Sequence, residues 1–250
     1  VIFSLVEMLG RKAPVIDVID VGAMLLDEAP PDYQPLMKRN AANVVGFEPV
    51  PEECEKLNRL AGKQQKFLPY FIGDGSERTF HLCNYPMTSS LYEPNEKLLK
   101  KFNNLLELTT CVEKTKVKTT RLDDIPEITG CDYLKMDIQG GELDALRGGM
   151  KVLEKALVVE LEVEFVPMYA GQPLFADVDP VVRGGGFTFH MFKSTFGRAF
   201  KPLMVNNDIN RPLKQILAAD AVYVRDFTRF AELPAESLLK IAVILHEVYQ

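Results

Sequence analysis

The 250-residue sequence has no tryptophan, three histidines, four cysteines and no uninterrupted apolar run approaching the ~18 residues of a membrane-crossing helix. His81, His190 and His246 lack a Ser, Cys or carboxylate partner at a recognisable spacing, and His-containing metal motifs are absent, so these residues read as structural. Cys54, Cys83, Cys111 and Cys131 are scattered without metal-ligand or redox spacing. They read as small buried hydrophobes in a reducing, cytoplasmic setting. Segment 1–20 has no basic stretch ahead of its apolar residues, so neither export nor membrane association is expected. A dense basic run is missing too. Lys and Arg number 29 against 35 Asp and Glu, a net charge of −6, whereas nucleic-acid binding needs a concentrated positive footprint. The small cluster Lys97, Lys100 and Lys101 falls in a helix-like segment and reads as a solvated face. Finally, no repeated-glycine fingerprint follows the first strand. A pyrophosphate would need G-x-G-x-x-G, and the chain offers Gly22-Ala23-Met24-Leu25-Leu26, which points to a cofactor without phosphates.

What is present is an ordinary globular composition, 47% hydrophobic and 26% charged, on a chain long enough for one large core. The β-branched run 15–21 ends at Gly22 and predicts a buried parallel strand; further strands are expected at 44–47, 67–72, 133–136, 157–165, 187–192 and 221–225. Helices are expected at 33–40, 51–60, 96–106, 142–147 (stopping at Gly148-Gly149), 173–183 and 234–249. Segments 79–83 and 112–120 predict added β structure. Strands alternating with helices indicate an α/β fold, a mostly parallel, doubly wound, Rossmann-like sheet covered on both faces. In such sheets ligands bind at the carboxyl ends of the strands, where strand order reverses.

That rule selects residues. Asp20, Glu48 and Asp137 stand where three strands should end. An acid closing the second strand can accept both ribose hydroxyls of a nucleoside cofactor, and Gly22 lets the backbone approach it. Glu48 is held between Phe47 and Pro49, although capping the next helix would also explain it. Asp74, in Gly73-Asp74-Gly75, suits either the amino group of adenine or an ordinary turn. In Lys135-Met136-Asp137-Ile138-Gln139-Gly140-Gly141-Glu142 a carboxylate leaves an apolar strand beside two glycines and a helix start. Asp137 and Glu142 are therefore candidates for chemistry, with a helix-capping role as the alternative. Glu160, Glu162 and Glu164 alternate with apolar residues and share one strand face. Burying three unpaired carboxylates is prohibitive, so that face either opens onto a polar site or is solvated.

Six fragments in order resemble the FkbM family of S-adenosylmethionine-dependent methyltransferases: Val18 to Ala23, Val45 to Pro49, Ile72 to Gly75, Thr88 to Leu91, Thr120 to Ile125 and, above all, Leu134 to Gly149. The resemblance spans 15–225. It implies a seven-stranded class I methyltransferase domain with a small β insertion, whose members mostly methylate hydroxyls of sugars and secondary metabolites. It further implies that Gly22-Ala23 faces the methionine part of S-adenosyl-L-methionine, with Asp20 and Pro49 bordering the site, Glu48 the ribose, Asp74 the adenine, and Asp137 the transferred methyl. The sequence departs from the family's first motif at Met24 to Leu26 and in the Pro30-Pro31 loop. The expected enzyme is an O-methyltransferase with a small-molecule or carbohydrate acceptor, using Asp137, with Glu142 or Glu162, to orient or deprotonate the acceptor hydroxyl. A methyltransferase-fold binding protein without catalysis and a nucleotide-sugar or NAD-dependent enzyme are the alternatives. The expected organisation is one domain over 1–227. The amphipathic helix in 228–250 then either covers the core or meets a second subunit in a homodimer.

Overall fold

The computed structural model describes residues 3–24 and 30–249. Leu25 and Leu26 of the altered first motif lie outside the described residues. Four parallel β-α units dominate the first two-thirds of the chain. Ile16–Val21 forms β1, followed by α2 (Gln34–Lys38), β2 (Ala42–Phe47), α3 (Pro51–Leu60) and β3 (Gln65–Leu68), with α1 (Leu5–Leu9) ahead of them. Next come β4 (Glu77–Cys83), α4 (Glu96–Leu99), α5 (Leu105–Leu108) and β5 (Cys111–Lys118). The parallel pattern then resumes with β6 (Tyr133–Met136), α6 (Glu142–Arg147), α7 (Met150–Lys155) and β7 (Val158–Glu164). The chain continues through α8 (Phe175–Gly184), β8 (Phe187–Gly197), β9 (Ile216–Arg225) and α9 (Ala235–Val248).

Seven strands make one sheet in the order β3-β2-β1-β6-β7-β9-β8, and β4 and β5 form a separate antiparallel pair. Strands β3, β2, β1, β6 and β7 run parallel, while β9 is antiparallel to both its neighbours. The α/β, doubly wound, seven-stranded architecture with a small β insertion is thus as expected. Strand order reverses at β1, which lies between β2 and β6, so the crevice beyond β1 and β6 is where a ligand should sit.

Each face of the sheet buries its own cluster. On one, Ile19, Leu134 and Val159 meet Leu146 of α6, Leu153 of α7 and Val182 of α8. On the other, Ile16, Val18, Val158 and Val222 meet Leu36 of α2 and Ile241, Val243 and Ile244 of α9. The final helix therefore packs on the core. Glu247 of α9 is buried and accepts hydrogen bonds from Ser4 Oγ at 2.7 Å and Val6 N at 3.2 Å, which ties α1 to it.

Several boundaries differ from expectation for local reasons. Strand β3 stops at Leu68, because Pro69 has no N–H to continue a ladder, and Ile72 makes only an isolated bridge to Thr120. The helix expected over 96–106 is two short ones, broken at Asn104, which takes a left-handed φ of 58°. Strands β8 and β9 are longer than their patterns suggested. Register shifts at Phe189/Met191, Phe192/Ser194 and Phe196/Gly197 disrupt the alternation by which a strand is read. Gly148-Gly149 ends α6 as expected, yet α7 starts directly after it.

Candidate active site

Gly22, the first residue past β1, has φ +89°, and a Cβ added there would lie 2.0 Å from the carbonyl oxygen of Asp137. The close passage of the chain leaving β6 by itself demands a glycine here. The N–H groups of Gly22 and Ala23 both donate to Phe47 O at 3.0 Å, so these donors are used within the sheet. Ala23 itself is buried against Cys54, Leu57 and Phe67.

Beside this junction lies an apolar hollow of about 780 Å³, counted to its open mouth. Phe47, Tyr70, Phe71, Ile72, Phe80 and Leu82 form most of its walls, and Met87, Ser89, Ser90 and Leu91 of the insertion close one side. Three acids reach this greasy setting, Glu48, Glu53 and Asp137, and Glu48 is the most deeply buried of them. Glu48 is 3% exposed, its Oε1 accepts from Val50 N at 2.8 Å, and among the described residues no protein donor meets its other oxygen. Burial pushes the Glu48 carboxyl up to about 7, against the weaker opposing pull of the Val50 hydrogen bond.

A second hollow, about 860 Å³, adjoins the first and is polar. Asp20, Asp32, Glu160 and Asp220 line it with Lys135 and Lys193. Both lysines are engaged. Lys193 Nζ lies 2.6 Å from Asp32, 2.5 Å from Glu160 and 3.6 Å from Asp220, and Lys135 Nζ is 3.5 Å from Asp20 Oδ1. Asp20 Oδ2 accepts from Tyr33 Oη at 2.7 Å. Gly22, Met24, Met87, Asp137 and Gln139 line both hollows.

Of the residues singled out in the sequence, Gly22, Glu48, Pro49 and Asp137 thus gather around the apolar hollow. The others are placed elsewhere. Asp20 lines the polar hollow instead. Asp74 is exposed in its turn, where it accepts from Ser76 N at 2.9 Å and Ser76 Oγ at 2.5 Å, so the turn reading describes it. Glu142 is buried behind the 137–141 loop and accepts from Ile138 N at 2.8 Å, closing the start of α6. Glu162 accepts a short hydrogen bond from the Gln139 side chain and lines neither hollow. None of the three histidines lines either hollow.

Residues 20–189, more than half the chain, match the Methyltransferase FkbM domain. The chain belongs to that family. It is also 27% identical, over 185 residues that make up 70% of its length and 74% of the relative's, to the 2-O-methyltransferase NoeI of Sinorhizobium fredii. A solved SAM-dependent methyltransferase from Aquifex aeolicus shares 11% identity at a TM-score of 0.35, covering 88% of this chain and 87% of its own.

In this FkbM-domain methyltransferase the residue that links the site's parts is one the sequence reading passed over. Gln139, at φ 57°, donates from Nε2 to Asp137 Oδ1 at 3.0 Å and to Glu162, while its Oε1 accepts from Tyr169 Oη at 3.0 Å. Its backbone oxygen accepts from Ser90 Oγ at 2.7 Å, and Tyr169 Oη also meets Thr88 O at 2.9 Å, so the insertion is fastened to the 137–141 loop. Around it Glu142, Glu162 and Glu164 lie close together. Burial, then their mutual charges and that of Asp137, lifts Glu142 and Glu162 well above the usual carboxylate range. Lys135, Lys193 and Asp220 were missed as well. The available signal was a charged residue inside the apolar-rich strands of 133–136, 187–197 and 216–225.

The amide of Gln139 is neutral between two carboxyl groups, which makes Gln139→Glu an informative change. The new carboxyl would face like charges, so its folded pKa would rise above the unfolded value. Its cost is then present above neutral pH and disappears as pH falls towards ~4. We expect the variant to be less stable than wild type by about 2 kcal/mol at pH 8 and close to wild type near pH ~4.5, read as paired denaturant melts.

Proposed function

We propose that the protein transfers a methyl group from S-adenosyl-L-methionine to a hydroxyl of a sugar or other small metabolite rich in hydrogen-bond donors. The observation that carries this reading is the position of Asp137, on the wall common to an apolar hollow and a polar one. The apolar hollow fits the cofactor. Its aromatic and aliphatic walls suit a flat base, and the buried Glu48 carboxylate, with an oxygen lacking a protein donor, suits a ribose diol. Pro49 and Gly22 border the same space. When bound, the cofactor supplies an electrophilic methyl group on a sulfonium centre. Asp137 then orients the acceptor hydroxyl and takes its proton, with Gln139 holding the carboxylate in place. Glu142 and Glu162 line neither hollow and are bonded to this loop, so their part is to hold it in place.

The polar hollow supports a hydroxylated acceptor without negative charge. Its two cations face carboxylates: Lys193 bonds Asp32 and Glu160, and Lys135 stands 3.5 Å from Asp20 Oδ1, an ion-pair distance that leaves this buried oxygen without a hydrogen bond among the described residues. Oxygen acceptors therefore outnumber available donors, which favours ligand hydroxyls and penalises phosphate or carboxylate groups. The relative's name, a 2-O-methyltransferase, agrees with transfer to oxygen.

Calorimetry with S-adenosylmethionine is the direct test, followed by mass spectrometry of ligand copurified with the protein. No heat at millimolar cofactor would leave a methyltransferase fold that binds without catalysing. Glu48→Gln gives a second check with opposite effects on binding and stability. The raised Glu48 pKa means that the folded state holds a proton which the unfolded chain releases near 4.5, so this group's contribution to stability is lost as pH rises to about 7. Removing the titration should stabilise the protein by about 2 kcal/mol above pH ~7, with no gain below ~4.5. The same variant should bind the cofactor about tenfold more weakly at pH 8, since a ribose diol then meets an amide with one acceptor oxygen.

A further inference from the structure

The lysine cluster of α4 and the turn after it finds company in the folded chain. Phe102 stacks on Phe200 with ring centroids 4.6 Å apart, the two residues form an antiparallel bridge, and Lys201 N donates to Lys101 O at 2.8 Å. Asn103 Nδ2 donates to Leu203 O at 2.6 Å. These contacts lay the 198–215 connection between β8 and β9 beside Lys97, Lys100 and Lys101. The connection leaves its apolar side chains in water: Leu203 and Met204 are each 55% exposed, Ile209 45% and Leu213 40%. Arg211 and Lys214 stand exposed among them.

Three features set this surface apart. It is basic on a chain whose net charge is −6. Nearby acids are few: Glu107 is paired with Lys201 at 2.7 Å, leaving Glu96 and Asp208, while among the described residues Lys97, Lys100, Lys101, Arg211 and Lys214 make no ion pair. It also stands on firm ground, since Leu99, Phe102 and Leu105 pack with Tyr169 and Leu217 beneath it. Lastly, it lies at the functional end of the sheet. The last residue of β7, Glu164, pairs with Ala218, so the β8–β9 connection projects beyond the carboxyl ends of the parallel strands, as the two hollows do.

We propose that this face docks peripherally on an anionic lipid surface and turns the carboxyl end of the sheet towards the bilayer. Isolated aliphatic tips ringed by long cationic side chains match the demands of a charged interface, where tips enter the headgroup boundary while Lys and Arg reach the phosphates. A nucleic acid would be served by several free aromatic stacking surfaces; here the one exposed aromatic, Phe200, stacks on Phe102 and the other tips are Leu, Met and Ile. A protein partner would be served by a shaped groove, and these tips stand on an irregular connection. No described helix is long and apolar enough to cross a membrane, so the attachment is at the surface. Such docking does not depend on which molecule is methylated.

The test is cosedimentation of the purified protein with phosphatidylcholine vesicles and with vesicles containing one-third phosphatidylglycerol, at low and high salt. Binding should be at least about tenfold stronger to the anionic vesicles and should weaken as salt rises. The doubly substituted Leu203→Ser/Met204→Ser and Arg211→Glu/Lys214→Glu proteins should each lose about tenfold in vesicle partitioning while keeping wild-type melting temperatures. Equal partitioning to neutral and anionic vesicles, no sedimentation with either, or wild-type binding by the charge-reversed variant would overturn the proposal. So would sedimentation velocity showing a wild-type dimer that the Leu203→Ser/Met204→Ser change dissociates, since the face would then belong to a second copy of the chain.

Discussion

Asp137→Asn should lower turnover by a factor of roughly 10²–10⁴ while leaving cofactor affinity within about twofold of wild type. The size follows from the role assigned to the carboxylate, which takes a proton as the new carbon–oxygen bond forms, something an amide cannot do. The selectivity follows from the geometry. Glu48 and the aromatic walls of the apolar hollow are untouched by the substitution, and the oxygen of the new amide can still accept from Gln139 Nε2, which holds Asp137 at 3.0 Å in the native protein. Backbone pairing is also preserved, because Asp137 N donates to Val21 O at 2.9 Å whatever the side chain is. Single-turnover methyl transfer with a radiolabelled donor, together with calorimetric titration of the cofactor, separates the two quantities. Undiminished turnover would remove Asp137 from the chemistry; equal losses in turnover and binding would make it a structural residue.

Gly22→Ala should be among the most damaging single-methyl changes available to this chain. Two costs coincide at that position. The backbone is left-handed at φ +89°, and the added carbon would sit 2.0 Å from a main-chain oxygen of Asp137 and 3.1 Å from Ile138 Cγ2. A side chain can rotate away from a new methyl, but the carbonyl of Asp137, the residue just past β6 whose N–H is bonded to Val21 O, moves only if the end of the β1–β6 ladder opens. The combined penalty is on the order of 3–5 kcal/mol, a large part of a typical domain's stability, and should lower the melting temperature by about 10 °C. Gly171→Ala is the control. It shares the left-handed backbone, at φ +73°, but has no atom within 4 Å of the added carbon, so it should cost only about 1 kcal/mol. Similar melting temperatures for the two variants would mean that backbone conformation alone, and not the approach of β6, requires the glycine.

The parts of this architecture that could be read from the sequence are those governed by neighbours along the chain. The β-branched run of β1, its terminal glycine, and the Phe47-Glu48-Pro49 corner are short-range patterns, and each led to the right place in the sheet. Asp137 was found because an acid at the end of an apolar strand is locally conspicuous. The polar hollow was not legible, because its walls come from β1, β6, β7, β8 and β9, and only tertiary pairing brings Lys193 within reach of Asp32, 161 residues away. Glu160, Glu162 and Glu164 show the boundary well. Their shared face followed from strand periodicity, but whether that face met water or partners depended on Lys193, Gln139 and the tyrosines at 133 and 249. Asp74 illustrates the opposite case. Its family resemblance suggested a ligand, and the nearby Ser76 supplies a local reason for the carboxylate instead.

The two adjoining hollows share a wall but draw their remaining groups from different stretches of chain. The apolar one draws on β2, β4 and the segments that follow β3 and β4, whereas the polar one draws its distinctive groups from residues 30–32 and from β1, β6, β7, β8 and β9. Inheritance can therefore act on them independently. On the proposed assignment of the two hollows, replacements at Pro31, Asp32, Lys193 or Asp220 would retune what is recognised at one end of the enzyme and leave its supply of methyl groups intact, so a lineage could diversify its products through a handful of codons without reinventing the donor site.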